Sequence, residues 1–365
     1  GDDQSMLDPM NPLGRNVHLI AVRQGVISRA GSALMLHARL PPMPGAPPSE
    51  PRSCPARADS PEGISIVYPT RDRPDFLSRS LKALLGNTVL PDEIVIVDQS
   101  RTDATRDAIA ALDCPLIVHV RSAETGLSRA RNLGIRSSGC PIIGFIDDDC
   151  IPARNWIASA RAVIQRVPDS AVWVGKVFYD ERDISDEVIE AARETWYSLL
   201  GTNDPWRFGP AGGNSFFRRS TFDRVGLFDP LLGQGSEFPG SEDGDMVYRL
   251  FKANLRVTYS DLIRAYHLNW RSEDQEIDNS YNYGLGFGAM MAKYVAQGDY
   301  YPATVIFARR FFPNYVLVPI SLVLGRRRKF RHSLRWSQSI ILGYTRWRRL
   351  HRGRSARTPE GMSRP

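Results

Sequence analysis

The sequence predicts an α/β fold, a mostly parallel sheet with helices on both faces, followed by a helical C-terminal extension. Three observations carry this. Between residues 64 and 146, β-type runs alternate with segments of helical period, as in a sheet built from strand–helix–strand crossovers. The run Glu93-Ile-Val-Ile-Val-Asp98 is apolar between its end acids, as a strand buried on both faces must be. Polar residues follow the strands where such sheets open their ligand crevice: Thr70-Arg71-Asp72, Asp98 and Asp147-Asp148-Asp149.

The elements follow in order. A strand over residues 64–68 is closed by Pro69 and Thr70, and residues 75–85 carry a helical stripe of Phe76, Leu77, Leu81, Leu84 and Leu85. Strands over 93–98, 116–120 and 141–146 alternate with helices over 102–112 and 127–137. A helix over 156–167 and a strand over 172–179 come next, then an exposed helical stretch at 180–200. A Gly-rich segment at 209–214 leads to a short strand at 215–217. The acidic run at 240–245 precedes a helix over 246–253, and a strand from 256 heads towards His267. The helix over 279–297 carries Gly284, Gly286, Gly288 and Ala292, which suits close helix packing. Residues 1–61, Pro-dense from 41 onward, read as a poorly ordered leader or linker.

Composition narrows the class. The chain of 365 residues has a net charge of +7, concentrated at one end. Residues 326–364 hold thirteen Lys/Arg against one acid, Glu360, so this tail contributes +12 and the remainder sums to −5. A mildly acidic body argues against a nucleic-acid partner. Four scattered cysteines without C-x-x-C spacing fit reduced thiols and a cytoplasmic setting. The N-terminal residues carry no signal-peptide pattern, and no run of about 18 apolar residues suggests a membrane span.

The strand-end acids carry the chemistry. Three adjacent carboxylates at a buried edge repel one another, and a hard divalent ion with diphosphate oxygens relieves that repulsion. A solvated acidic turn is the bland alternative. Asp98 can accept from a base or ribose, or simply close an Asx-turn. Gly126-Leu-Ser-Arg-Ala-Arg-Asn132 opens a helix whose N–H groups and arginines suit an anion, or form an ordinary basic helix start. Glu242 and Asp243 can serve as a general base, or as first-turn acids behind a Ser241 cap. His267 can be a metal ligand or a packed histidine.

Together these segments resemble family-2 glycosyltransferases of the GT-A, Rossmann-like type. The residues that carry the resemblance are Val67-Tyr-Pro-Thr-Arg-Asp-Arg73, Val97-Asp-Gln-Ser-Arg-Thr-Asp103 and Gly126-Leu-Ser-Arg-Ala-Arg-Asn-Leu-Gly134. Phe145-Ile-Asp-Asp-Asp149, Gly212-Gly-Asn214, Phe217-Arg-Arg219, Val225-Gly-Leu-Phe-Asp229 and Gly240-Ser-Glu-Asp-Gly-Asp245 continue it in order. The resemblance implies a catalytic domain over 62–270, with a nucleotide-binding half (62–150) and an acceptor half (151–270). A helical, membrane-surface segment (271–325) and a basic tail (326–365) follow. It implies an inverting, non-processive transfer from a nucleotide diphosphate-sugar to the hydroxyl of a glycan or lipid-linked acceptor. Donor binding would fall to Pro69, Thr70, Arg71, Arg73, Asp98, Arg131, Asp147 and Asp148. Mn2+ or Mg2+ would sit on Asp149, Asp147 and His267. Asp243 would be the base, deprotonated at neutral pH, with Asn214 and Glu242 towards the acceptor.

Two departures stand out. The second-strand motif reads Asp98-Gln99-Ser100-Arg101 where the family usually has Asp-Asp-Gly-Ser or Asp-Asn-Gly-Ser. The Gln-x-x-Arg-Trp signature of processive synthases is missing its first residue, since His332 stands before Arg335-Trp336. Two rivals remain open at the level of sequence: a nucleotidyltransferase on a similar sheet, and a non-catalytic nucleotide-binding scaffold. The apolar run at 311–324, bracketed by Arg309-Arg310 and the basic tail, suggests the inner face of an anionic membrane.

Overall fold

A computed structural model of the chain describes residues 62–179, 196–199, 212–268, 272–306, 320, 323 and 327–352. Its centre is a nine-stranded sheet in the order β3-β2-β1-β4-β8-β6-β9-β5, with β7 also paired to β9. The parallel part is β1 (Ile64–Thr70), β2 (Glu93–Asp98), β3 (Ile117–Arg121) and β4 (Ile142–Ile146). Helices α1 (Pro74–Leu85), α2 (Ala104–Ala110) and α3 (Leu127–Ser137) connect these strands. Every residue of β1, β2 and β4 is buried, as their unbroken apolar runs require.

The second half mixes strand directions. After β5 (Cys150–Pro152), α4 (Trp156–Arg166) and β6 (Val172–Phe178), β7 is Trp196–Leu199 and β8 is Asn214–Arg218. Strand β8 runs antiparallel to both β4 and β6, whereas β6 lies parallel to β9 (Val257–His267). Helices α5 (Ser220–Val225) and α6 (Glu242–Lys252) lie between β8 and β9. The period of two separates two cores. Ile66, Tyr68 and Phe216 face Leu77 and Trp156, while Val67 and Phe217 join Phe145, Phe222, Phe228 and Met246. Gly134 lets α3 lie directly on β1: a Cβ there would stand 2.3 Å from a Val67 methyl.

The helix expected over 180–200 is not what the described part shows. Trp196–Leu199 is strand β7, antiparallel to β9, and residues 180–195 lie outside the described residues. β-branched and aromatic partners on β9 supply the pairing that a local helical pattern cannot foresee. The leader at 1–61, the start of the Gly-rich segment and most of the run at 311–324 also lie outside. Cys140 is disulfide-bonded, against the expectation of reduced thiols, whereas Cys114 and Cys150 are free.

The C-terminal extension is helical. Helix α7 (Glu273–Ala296) opens with a capping box between Ser272 and Gln275. It is followed by α8 (Tyr301–Ile306) and by α9 (Arg327–Leu350), within the segment set apart in the sequence as a basic tail. Helices α7 and α9 meet backbone to backbone, because a Cβ on Gly288 would stand 2.0 Å from the Ile340 carbonyl oxygen. Lys293 on α7 reaches Asp229 at 2.8 Å and Asp245 at 2.7 Å, pinning the extension to α6. Among the described residues no helix is long and apolar enough to cross a membrane.

Candidate active site

The strand ends of β1, β2 and β4 do meet, and the turns between them are cross-tied. Asp72 adopts a left-handed backbone (φ 55°) and its carboxylate accepts from the Arg101 backbone N–H and side chain at 2.8 and 2.9 Å. Its own N–H donates to Ser100 Oγ at 2.8 Å. Beside this tie lies a hollow of about 310 Å³ lined by Arg71, Gln99, Ser100, Arg101, Arg121, Ser122, Ala123 and Thr125. Three arginines give it a positive rim suited to a phosphorylated ligand.

Asp98 does not face that hollow. It is fully buried, accepting from Ser100 N–H at 2.8 Å and lying 3.0 Å from His119 Nε2 and 3.3 Å from Arg121 Nη1. Burial works against its charge, but these partners outweigh burial and hold its carboxyl below the usual range. The carboxylate expected to meet a base or ribose is thus held by Ser100, His119 and Arg121. Gln99, Ser100 and Arg121 line the neighbouring hollow. His119 and Arg121 were invisible as partners because they lie one strand away, paired in register with β2.

At the end of β4 the three acids take separate surroundings. Asp148 accepts from Thr70 Oγ1 at 2.8 Å and from Arg73 at 3.2 Å. Burial raises its carboxyl to about 7, against the pull of Arg73 and with Asp149 adding repulsion. Asp149 receives Arg73 at 3.3 Å and has Oδ1 3.6 Å from His267 Nε2, across the β5–β9 pairing of Cys150 with His267. Asp147 points elsewhere and is 3.3 Å from Arg131 Nη2. Its carboxylate lies against the backbone of Gly213, where a Cβ would stand 2.5 Å from Oδ2.

Arg131 is the hub between these acids and α6. Only 1% exposed, it donates to Asp243 Oδ1 at 2.7 Å, lies 3.6 Å from Glu242, and stacks over Phe228 with 5.4 Å to the ring centroid. Burial disfavours its charge, but Asp243, Asp147 and Glu242 outweigh burial and fix it as a guanidinium. Its guanidinium is engaged by Asp147, Asp243 and Glu242 together.

Glu242 and Asp243 open α6 after an unusual approach. Gly240 (φ 102°) and Ser241 (φ 66°) are both left-handed, and Ser241 makes no side-chain cap, leaving its buried Oγ without a partner. The cap alternative fails here, and a strained non-glycine residue directly before two acids is a feature of functional turns. Burial raises both carboxyls, each repelled by a neighbouring acid, while Arg131 opposes the shift. Glu242 is the more enclosed of the two, with 8% side-chain exposure against 24% for Asp243. Gly212 donates its backbone N–H to Asp243, and a Cβ there would stand 2.2 Å from Oδ2. Gly212 and Gly213 are thus the residues whose importance motif order hinted at without explaining.

Asn214 is fully buried. Its Oδ1 accepts from Trp156 Nε1 at 2.8 Å, and its Nδ2 donates to the Ile263 and Lys176 carbonyls at 2.9 and 3.0 Å. Its amide thus ties β8 to α4, β6 and β9. Among the described residues no three His, Cys, Asp or Glu side chains converge as a ready metal cage. Pro69 lies inside the buried run of β1, which ends at Thr70, and Arg71 reaches the hollow.

Comparison with known proteins agrees with this geometry. Residues 65–226 match the glycosyl transferase family 2 model. The hyaluronan synthase of Pasteurella multocida is 25% identical over 267 residues, covering 63% of this chain and 27% of that protein. The glucosyl-dolichyl phosphate glucuronosyltransferase of Haloferax volcanii is 25% identical over 219 residues, covering 56% of this chain and 68% of that protein. The chain spans 27% and 36% of the lengths of the first two curated relatives it matches. A mannosyltransferase from Pyrobaculum calidifontis, solved with GDP-Man and Mn2+, shares the fold at a TM-score of 0.52 and 15% identity, covering 82% of this chain and 89% of its own. The fold is that of GT-A glycosyltransferases. The likeness to glycosyl transferase family 2 is carried by residues 65–226, which hold most of the parallel strands, β8 and the strand-end acids.

Proposed function

We propose that the chain moves a sugar from a nucleoside diphosphate-sugar to a hydroxyl acceptor in one inverting displacement, with Asp243 as general base. The observation that carries this is the Arg131 bridge, which joins Asp243 at 2.7 Å to Asp147 at 3.3 Å. It sets a partly accessible carboxylate beside the strand-end acids that would face the donor diphosphate. Asp243 takes the acceptor proton as the oxygen attacks. The enclosed Glu242 holds the helix start and the acceptor side of the crevice.

A divalent Mn2+ or Mg2+ fits Asp149 and His267. Two ligands each about 2.1 Å from one ion lie roughly 3–4 Å apart, and such ions keep few protein ligands beside substrate phosphates. The 3.6 Å separation of Oδ1 and Nε2 meets that condition. His267 Nδ1 is buried without a hydrogen-bond partner. When bound, the ion neutralises charge gathering on the leaving diphosphate. Arg71, Arg101 and Arg121 supply the positive rim for the nucleotide.

The test is nucleoside diphosphate release across a panel of nucleotide sugars, with NMR of the product anomer. A metal-dependent turnover giving inverted product supports the proposal. Full activity in excess EDTA, or retained configuration, overturns it.

A further inference from the structure

We infer that the outer face of α9 is a docking surface for an anionic lipid bilayer. One side of the helix is committed to α7: Trp336, Ile340 and Ser339 are buried there, and a Cβ on Gly343 would stand 2.1 Å from the Leu285 carbonyl oxygen. The opposite side presents Leu334, Ile341 and Leu342 to solvent at 36%, 55% and 43% exposure. Leu334 and Ile341 are seven residues apart, two turns along one face. A helix folded only to cover α7 has no use for apolar side chains there.

Charge selects the partner. Residues 327–350 hold eight Lys/Arg and no Asp or Glu. Arg335 pairs with Asp278 of α7, and Arg346 with Glu237 of the loop before α6. Arg331, Arg348 and Arg349 are exposed and flank the apolar patch on either side along the helix. A like-charged helix gains from an anionic surface, and only a bilayer interface also takes up the leucine and isoleucine between the charges. Nucleic acid would satisfy the arginines and leave the apolar patch in water. A helix of this kind lies in the interface plane rather than crossing it, in keeping with its charge density.

Position gives the surface a use. Helix α7 separates α9 from the residues before Glu242, with a Gly286 Cβ position 2.4 Å from the Gly240 carbonyl oxygen. A bilayer on the outer face of α9 therefore lies two packed helices, α9 and α7, away from the turn that carries Asp243. The acceptor class this favours, a lipid-linked hydroxyl, rests on the transfer reaction proposed above, whereas the docking itself does not.

The test is flotation of the full chain with phosphatidylcholine vesicles, with and without phosphatidylglycerol, over a salt series. Binding to the phosphatidylglycerol vesicles alone, weakened by salt, is expected. The double variants Ile341→Ser with Leu342→Ser, and Arg348→Gln with Arg349→Gln, should each weaken binding about tenfold or more, with melting temperature and donor turnover unchanged. Failure to float with phosphatidylglycerol, or parental flotation of both double variants, overturns the inference. So does duplex DNA bound equally by the parent and the Ile341/Leu342 variant, which would make the face a nucleic-acid site. Self-association lost in those same variants would assign the face to a second copy and overturn it as well.

Discussion

Arg131 donates to Asp243 across 2.7 Å although 112 residues separate them in the sequence. The contact ties the helix after β3 to the helix that opens with the proposed base. Around it one buried cation faces three carboxylates, so the site's charge balance hangs on a single side chain.

Replacing that side chain should separate charge from shape. Arg131→Lys keeps a cation but cannot fork between Asp243 and Asp147, and donor turnover should fall about a hundredfold with the fold intact. Arg131→Ala strands buried acids and should lower stability by about 3–5 kcal/mol, read in denaturant melts. Parental turnover in Arg131→Lys would show that the fork is dispensable.

Gly212 offers a sharper probe of base position. An alanine methyl would meet the Asp243 carboxylate, whose end can move aside, so the protein should fold with its base displaced. For Gly212→Ala we expect kcat to drop about a hundredfold with little change in melting temperature or in the dissociation constant for the nucleoside diphosphate.

The assignment between the paired acids is decided by exchange. Asp243→Asn should cost about 10²–10⁴ in kcat while leaving nucleotide affinity nearly unchanged. Because the pair's carboxyls are raised, activity should fail on acidification at a higher pH than an ordinary aspartate would dictate. A dead Glu242→Gln beside an active Asp243→Asn would reverse the roles.

Asp245 makes the opposite case. Burial opposes its charge, yet Lys293 and Arg249 outweigh burial and lower its carboxyl from 3.8 to about 2. A depressed carboxyl adds stability that is present above the unfolded value and lost as pH falls through the folded one. That contribution is about 2 kcal/mol at neutral pH. Unfolding free energy should therefore decline between about pH 4 and pH 2, and Asp245→Asn should flatten that decline. An unaltered slope in the variant would remove Asp245 from the account.

The sequence was most legible where one segment decides its own state. The buried strands Glu93–Asp98 and Ile142–Ile146, and helix Leu127–Ser137, stand close to where period and composition put them. The strand Cys150–Pro152 and the pairing of Trp196–Leu199 depend on a distant partner, Val257–His267, that no local pattern announces. Among site residues, Asp149 and His267 do come together, and so do Glu242 and Asp243 with Asp147 through Arg131. What a motif could not reveal was spent hydrogen-bonding capacity. The partners that hold Asp98 and Asn214 lie on other strands and helices, and Gly212 and Gly213 matter because of what their missing side chains leave room for.

Gly286 has no side chain to act as a cushion between α7 and the turn at Gly240. The same holds of Gly288 and Gly343 where α7 meets α9, each leaving room for a carbonyl oxygen of the other helix. The three glycines set the spacing of the extension: any side chain at one of them would have to push α7 or α9 away from its neighbour.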